Sequence, residues 1–207
     1  GQLRATLQTI RSLSGPIRGC LHGAGVGQDA RFDRKLPEKV DQCLAAKIDG
    51  ALHLMEATQH DPLEYFIGFG SISGRFGANG HTDYSMANDG LAKFISWYRH
   101  QRPEVKAVCF HWHAWGDIGM ATKPETKLAL EMIQMQFMPA TEGLAHLLRE
   151  IEGGAPQSEV LITDDRYYRM FYPAETVESE RNAISPDIVA LLEAASDRCR
   201  LDPRQDI

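Results

Sequence analysis

Residues 70–89 read GSISGRFGANGHTDYSMAND, a glycine- and serine-rich loop that runs into a tyrosine, Tyr84, with an asparagine, Asn88, four positions later. The preceding LEYFIGFGS (63–71) is aromatic and apolar and has the length of a buried strand ending at Ser71. From about Asp83 to His100, Ala87, Leu91, Phe94, Ile95 and Tyr98 fall on one side of a helix, with Thr82 or Asp83 suited to its N-cap. A strand, a glycine loop and a helix in that order form one repeat of an α/β sheet.

The alternation extends both ways. Upstream lie an amphipathic helix, LRATLQTIRSLSG (3–15), and a short strand running into a glycine loop, IRGCLHGAGVG (17–27). A long helix over 37–60 follows, with proline in its first turn and apolar positions 40, 44, 48, 52 and 55. Downstream come a third strand, VKAVCFHWHAW (105–115), helices over 125–137 and 140–152, and a fourth strand, SEVLITD (158–164). Each strand is nearly all apolar, which predicts a sheet covered on both faces: an α/β, Rossmann-like, doubly wound parallel sheet. PAETVESERNAISPD (173–187) is polar and turn-rich. It reads as a linker, followed by a short docking helix capped by Ser185 with Pro186 in its first turn. The organisation expected is therefore one α/β domain over 1–172 and a linker with a docking helix over 173–207.

Composition narrows the function. A net charge of −6 without a Lys/Arg-rich run excludes a general polyanion binder, so no nucleic-acid partner is expected. No apolar run approaches membrane-spanning length. Cys20, Cys43, Cys109 and Cys199 are widely spaced, as thiols of a reducing, cytoplasmic compartment would be. Cys109, His111 and His113 share a strand face, but no second cluster completes a four-ligand zinc set, so no metal is expected.

Ligands of doubly wound sheets bind beyond the carboxyl ends of the strands. HGAGVG, GSISG and HAWGDIGMA follow the first three strands and would line one crevice. Neither glycine segment keeps G-x-G-x-x-G register or ends in G-K-[ST], so neither is a phosphate-binding fingerprint. Tyr84 and Asn88 share a helix face, and the loop can bring the Ser71 hydroxyl beside Tyr84. Such a serine and tyrosine can bind a carbonyl oxygen, the tyrosine protonating the developing alkoxide. A nearby cation would lower the tyrosine pKa, and Lys47 is the candidate. Residue types alone leave open a plain surface turn, a packing tyrosine and a solvated lysine. A hydrolase using Ser71 or Ser73 with a histidine lacks the G-x-S-x-G elbow.

In order, HGAGV, AAKIDGALHL, FIGFGSISGRFGANGHTDYSMAN and HWHAWGDIGMA resemble the second half of a ketoreductase domain from an iterative type I polyketide or polyunsaturated-fatty-acid-type synthase. That family belongs to the short-chain dehydrogenase/reductases. The resemblance covers roughly residues 5 to 165 and implies reduction of a β-keto thioester to a β-hydroxy thioester by NADPH. It implies that Ser71 orients the carbonyl, Tyr84 donates the proton, Lys47 lowers the Tyr84 pKa and Asn88 holds the lysine or a relay water. His22, Gly23, Ala24 and Gly25 match the family's segment beside the cofactor. An acyl-carrier-protein-bound substrate and adjacent synthase domains are the implied partners.

Two departures qualify the match. The family's upstream TGxxGxxG loop is absent, so the first Rossmann βαβ units are missing and these residues alone are expected to bind NADPH poorly. The "LDD" signature reads GQD at 27–29, keeping Asp29, and the tryptophan of the other stereochemical class is Phe76. RCRLDPRQDI at the end faintly resembles the opening of a dehydratase domain. The alternative reading is a non-catalytic, reductase-like subdomain that braces a neighbour.

Overall fold

The computed structural model describes residues 1–27, 29–153 and 157–172. The chain divides into two compact units, Gly1–Asp164 and Asp165–Ile207. The first holds α1 (Gln2–Ser14), β1 (Gly19–His22), α2 (Pro37–Leu44), α3 (Gly50–Ala57), β2 (Tyr65–Ser71), α4 (Ile72–Phe76), α5 (Thr82–Gln101), β3 (Lys106–Trp112), α6 (Pro124–Met132), α7 (Ala140–Gly153) and β4 (Glu159–Ile162). The described part of the second unit is a short helix, α8 (Asp165–Phe171), braced by an Arg169–Asp165 ion pair of 2.8 Å. The expected linker and docking helix over 173–207 lie outside the described residues.

The four strands pair in parallel in the order β1-β2-β3-β4. Period-two alternation sends their side chains to two separate cores. Phe66, Ala107 and Cys109 pack with Ala51, Met55, Leu91, Ala92, Ile95 and Tyr98 from α3 and α5. Ile67, Val108, Phe110 and Trp112 pack on the opposite face with Met138 and with Leu147 of α7. Helices thus cover both faces, as the apolar strands require. No helix among the described residues is long and apolar enough to cross a membrane.

Three elements differ from the sequence reading. The helix expected over 37–60 is broken by a π turn at Ala45–Asp49. The buried His22 ring donates from Nε2 to the Lys47 carbonyl at 2.9 Å, the bond that accompanies this break. GSISGRF contains a short helix, α4, because the Ser71 hydroxyl accepts the Ser73 N–H at 3.2 Å and caps it. The helix expected over 125–137 ends at Met132, and Gln134 adopts a left-handed φ of 56°. That turn leaves Met132 exposed and sends Met135 and Met138 into the interior.

Arg11 of α1 is tied to the loop before β2, its Nε donating to Asp61 Oδ1 at 3.0 Å and its Nη2 to the Ala57 carbonyl at 2.7 Å. The Arg11 hydrogen bond, with the Ile17 N–H, holds the Asp61 carboxyl below its usual range. A depressed carboxylate pKa contributes stability that is present above the unfolded-state value and is lost as pH falls through the folded-state value. Asp61→Asn is therefore expected to lower the thermal midpoint at neutral pH, and the gap from the parent should close in acid. Midpoints across a pH series check this; a gap independent of pH would contradict it.

Candidate active site

The carboxyl end of β2 delivers Ser71, and the first two turns of α5 deliver Tyr84 and Asn88. The Tyr84 phenol faces the Ser71 and Asn88 side chains. Burial pushes its pKa above the ordinary value, and the hydrogen bonds from Ser71 and Asn88 oppose that rise. Asn88 is fully buried and donates from Nδ2 to the Tyr84 carbonyl at 2.7 Å. Its buried Oδ1 has no hydrogen-bond partner among the described residues.

Lys47 is buried beneath this group, with 4% exposure, and donates from Nζ to the Phe69 carbonyl two residues before Ser71. Burial pushes its ammonium below its ordinary value, while Cys109 and Cys43 act the other way. The resemblance implies that Lys47 lowers the Tyr84 pKa. In this geometry burial dominates and the balance on Tyr84 runs upward, while the Lys47 ammonium is engaged at the Phe69 carbonyl.

The loop after β1 closes over both residues. A Cβ on Gly25 would lie 2.8 Å from Lys47 Cε, and one on Gly27 would lie 3.2 Å from Tyr84 Cδ2. Backbone without side chains therefore reaches the lysine stem and the flat face of the tyrosine. Cys43 anchors the loop by donating from Sγ to the Val26 carbonyl at 3.1 Å. Gly23 has open space around it. The His22 side chain turns away from the crevice, under the π turn that carries Lys47. A Cβ on Gly50 would come 2.9 Å from its Cε1, so this position must be glycine for the ring to fit.

Several groups at the site escaped the sequence reading. Buried His111 places Nδ1 3.3 Å from the Ser71 carbonyl and Nε2 2.9 Å from Glu159 Oε2. Both ring nitrogens thus face acceptors, one on β2 and one on β4. Glu159 also meets Lys93 at 2.8 Å; burial opposes its ionisation, yet Lys93 and His111 hold its carboxyl below the usual range. His113, expected on the same strand face, is buried and engages the Gln136 carbonyl, Thr163 and Asp164. The alternation of VCFHWH was legible; these partners come from distant segments.

Asp29, His81 and Ser73 form a chain, with Asp29 Oδ1 2.9 Å from His81 Nε2 and Ser73 Oγ 3.4 Å from His81 Nδ1. Ser73 is buried, and its hydroxyl also meets Ser85 at 2.9 Å. The Ser73 hydroxyl is thus enclosed by His81 and Ser85, which disfavours the hydrolase reading of Ser73. His81 stands edge-on to the Tyr84 ring, with centroids 5.5 Å apart.

A family model described as the KR domain matches residues 1–117. Polyketide synthase PksL of Bacillus subtilis (strain 168) is 35% identical over 159 residues, which cover 74% of this chain and 4% of that protein. A polyunsaturated fatty acid synthase from Thraustochytrium sp. is 29% identical over 178 residues, covering 86% of this chain and 6% of the relative. Among solved structures, an A-type ketoreductase from a modular polyketide synthase superposes with a TM-score of 0.70 at 29% identity, over 83% of this chain and 36% of that one.

The parallel sheet with helices on both faces is the Rossmann-like architecture of the short-chain dehydrogenase/reductases. Within that superfamily the chain belongs to the KR domain family, the ketoreductase domains of polyketide synthases.

Proposed function

We propose that this chain is the catalytic portion of an NADPH-dependent β-ketoacyl thioester reductase, working inside a larger cytoplasmic synthase on an acyl-carrier-protein-bound chain. The observation that carries the reading is the convergence of Ser71 and Asn88 on the half-buried Tyr84 phenol. Ser71 holds the substrate carbonyl, and Tyr84 gives its proton to the oxygen as alkoxide character develops. Lys47 supplies buried positive charge beneath the pair, and the Asn88 Oδ1 receives a relay water or hydroxyl.

A nicotinamide nucleotide fits the chemistry of the surface offered. The glycine-rich loop from Gly23 to Gly27 supports that reading, as does the unpartnered Asn88 oxygen. Gly23, Ala24 and Gly25, with the backbone of His22, would hold the cofactor, which supplies the hydride when bound. The chain contributes the proton and the orientation of the carbonyl.

The test uses the full synthase chain with NADPH and a small β-ketoacyl thioester. Loss of nicotinamide absorbance with formation of the β-hydroxy thioester is expected. Thioester hydrolysis, or no NADPH consumption across several acyl lengths, would overturn the reading.

A further inference from the structure

We infer that the buried ion pair between Lys35 and Asp83 is a positioning device for the reduction, fixing the tyrosine-bearing helix against the lysine-bearing one. The inference rests on the reductase reading above and assigns to it two residues outside the reacting set. Lys35 Nζ lies 2.6 Å from Asp83 Oδ1, and the two side chains are only 7% and 3% exposed. Lys35 stands just before the start of α2, which leads into the π turn holding Lys47. Asp83 immediately precedes Tyr84, and the same Oδ1 accepts the Tyr84 N–H at 2.9 Å. One carboxylate oxygen therefore ties the entrance of the lysine helix to the backbone of the tyrosine itself.

The surroundings favour positioning over stabilisation. The segment carrying Lys35 is strapped to the loop before α5 by the Ala30 N–H on the Gly80 carbonyl, at 3.2 Å, and by Asp29 on His81. Cys43, one turn before Lys47 and 1% exposed, lies within electrostatic reach of Asp83, Lys35, Lys47 and Tyr84, so the pair sits against the wall that both site residues share. A buried ion pair is a poor way to gain stability, since apolar replacements of similar volume are often neutral or better. Its geometry is directional, and the direction here is toward Tyr84. The sequence reading makes Thr82 or Asp83 the helix cap; the N-cap position is held by His81, and Asp83, inside the first turn, takes the Tyr84 N–H and the Lys35 ammonium on one oxygen.

The deciding variant is Lys35→Met combined with Asp83→Leu in the full synthase chain. Either change alone strands a buried charge and is expected to unfold the domain. The double variant strands no charge and leaves only the Tyr84 N–H without its acceptor, so it should remain folded with a somewhat lowered thermal midpoint, while kcat falls roughly 10- to 100-fold at unchanged KM for NADPH. Lys35→Arg, which keeps the charge and the bond, should retain most of kcat. Amide exchange at Tyr84 should be slow in the parent and faster in the double variant, and this readout needs no turnover. If the parent reduces no β-keto thioester, the reductase reading fails, and the exchange rates still decide whether the pair orders Tyr84. A folded double variant with the parent's kcat and Tyr84 exchange rate would overturn the inference.

Discussion

Tyr84→Phe in the full synthase is expected to cut β-keto reduction by roughly 10²–10⁴-fold, with the KM for NADPH little changed. The substitution removes one oxygen and keeps the ring, so the edge contact with His81 and the face beneath Gly27 persist. What disappears is the proton donor and the hydroxyl that meets Ser71 and Asn88. The expected signature is a loss in kcat, because the missing interaction is formed with the developing alkoxide. The pH dependence adds a second check. Burial raises the Tyr84 pKa, so the phenol stays protonated through the neutral range, and reduction should fall only as pH rises through that raised value. Oxidation of the β-hydroxy thioester, which needs the phenolate as base, should rise over the same interval. Rate profiles in both directions measure this, and an alkaline limb that survives in Tyr84→Phe would remove Tyr84 from the proton-donor role.

The features legible in the sequence are those with local causes. Strand–helix alternation and the apolar positions Ala87, Leu91, Ile95 and Tyr98 follow from periodicity, and Leu91, Ile95 and Tyr98 form part of the core between α5 and the sheet. The position of Ser71 at a strand end and the i, i+4 pairing of Tyr84 with Asn88 follow in the same way. The π turn depends on a histidine from β1 and on a glycine that makes room for its ring, so 37–60 reads as an unbroken helix. The α4 helix is hidden by its glycine-rich composition, which favours turns on average. The partners of Asp83 and His111 lie far along the chain, and no local pattern pairs a lysine with an aspartate or a histidine with Glu159. The cap reading of Asp83 is off by position: His81 holds the N-cap, and the Asp83 carboxylate, inside the first turn, takes the Tyr84 N–H together with a lysine that no local pattern announces.

Gly74→Ala supplies the second large effect, and two principles oppose each other there. Gly74 lies inside α4, where alanine is intrinsically favoured over glycine by roughly 0.5–1 kcal/mol. A Cβ at this position, however, would lie 2.9 Å from the Asp89 backbone nitrogen, 3.0 Å from Asn88 Cβ and 3.1 Å from the Asn88 carbonyl carbon. Backbone cannot swing aside as a side chain can, so α4 must separate from α5. Overpacking of this kind costs about 1–3 kcal/mol, which exceeds the propensity gain. The displaced element begins at Ser71, and the element it leaves carries Tyr84 and Asn88, so the strain falls on the spacing between hydroxyl and phenol. Misplacement on the ångström scale can cost on the order of 10²-fold in rate. Gly74→Ala should therefore lower the thermal midpoint and reduce kcat by roughly 10- to 100-fold, with NADPH affinity near that of the parent. Gly153→Ala makes the same chemical change at the end of α7, where a Cβ meets nothing within 4 Å, and should leave both quantities unchanged. Kinetics and melting of the two variants side by side decide the matter, and a fully active Gly74→Ala would mean that the α4–α5 contact does not set the Ser71–Tyr84 geometry.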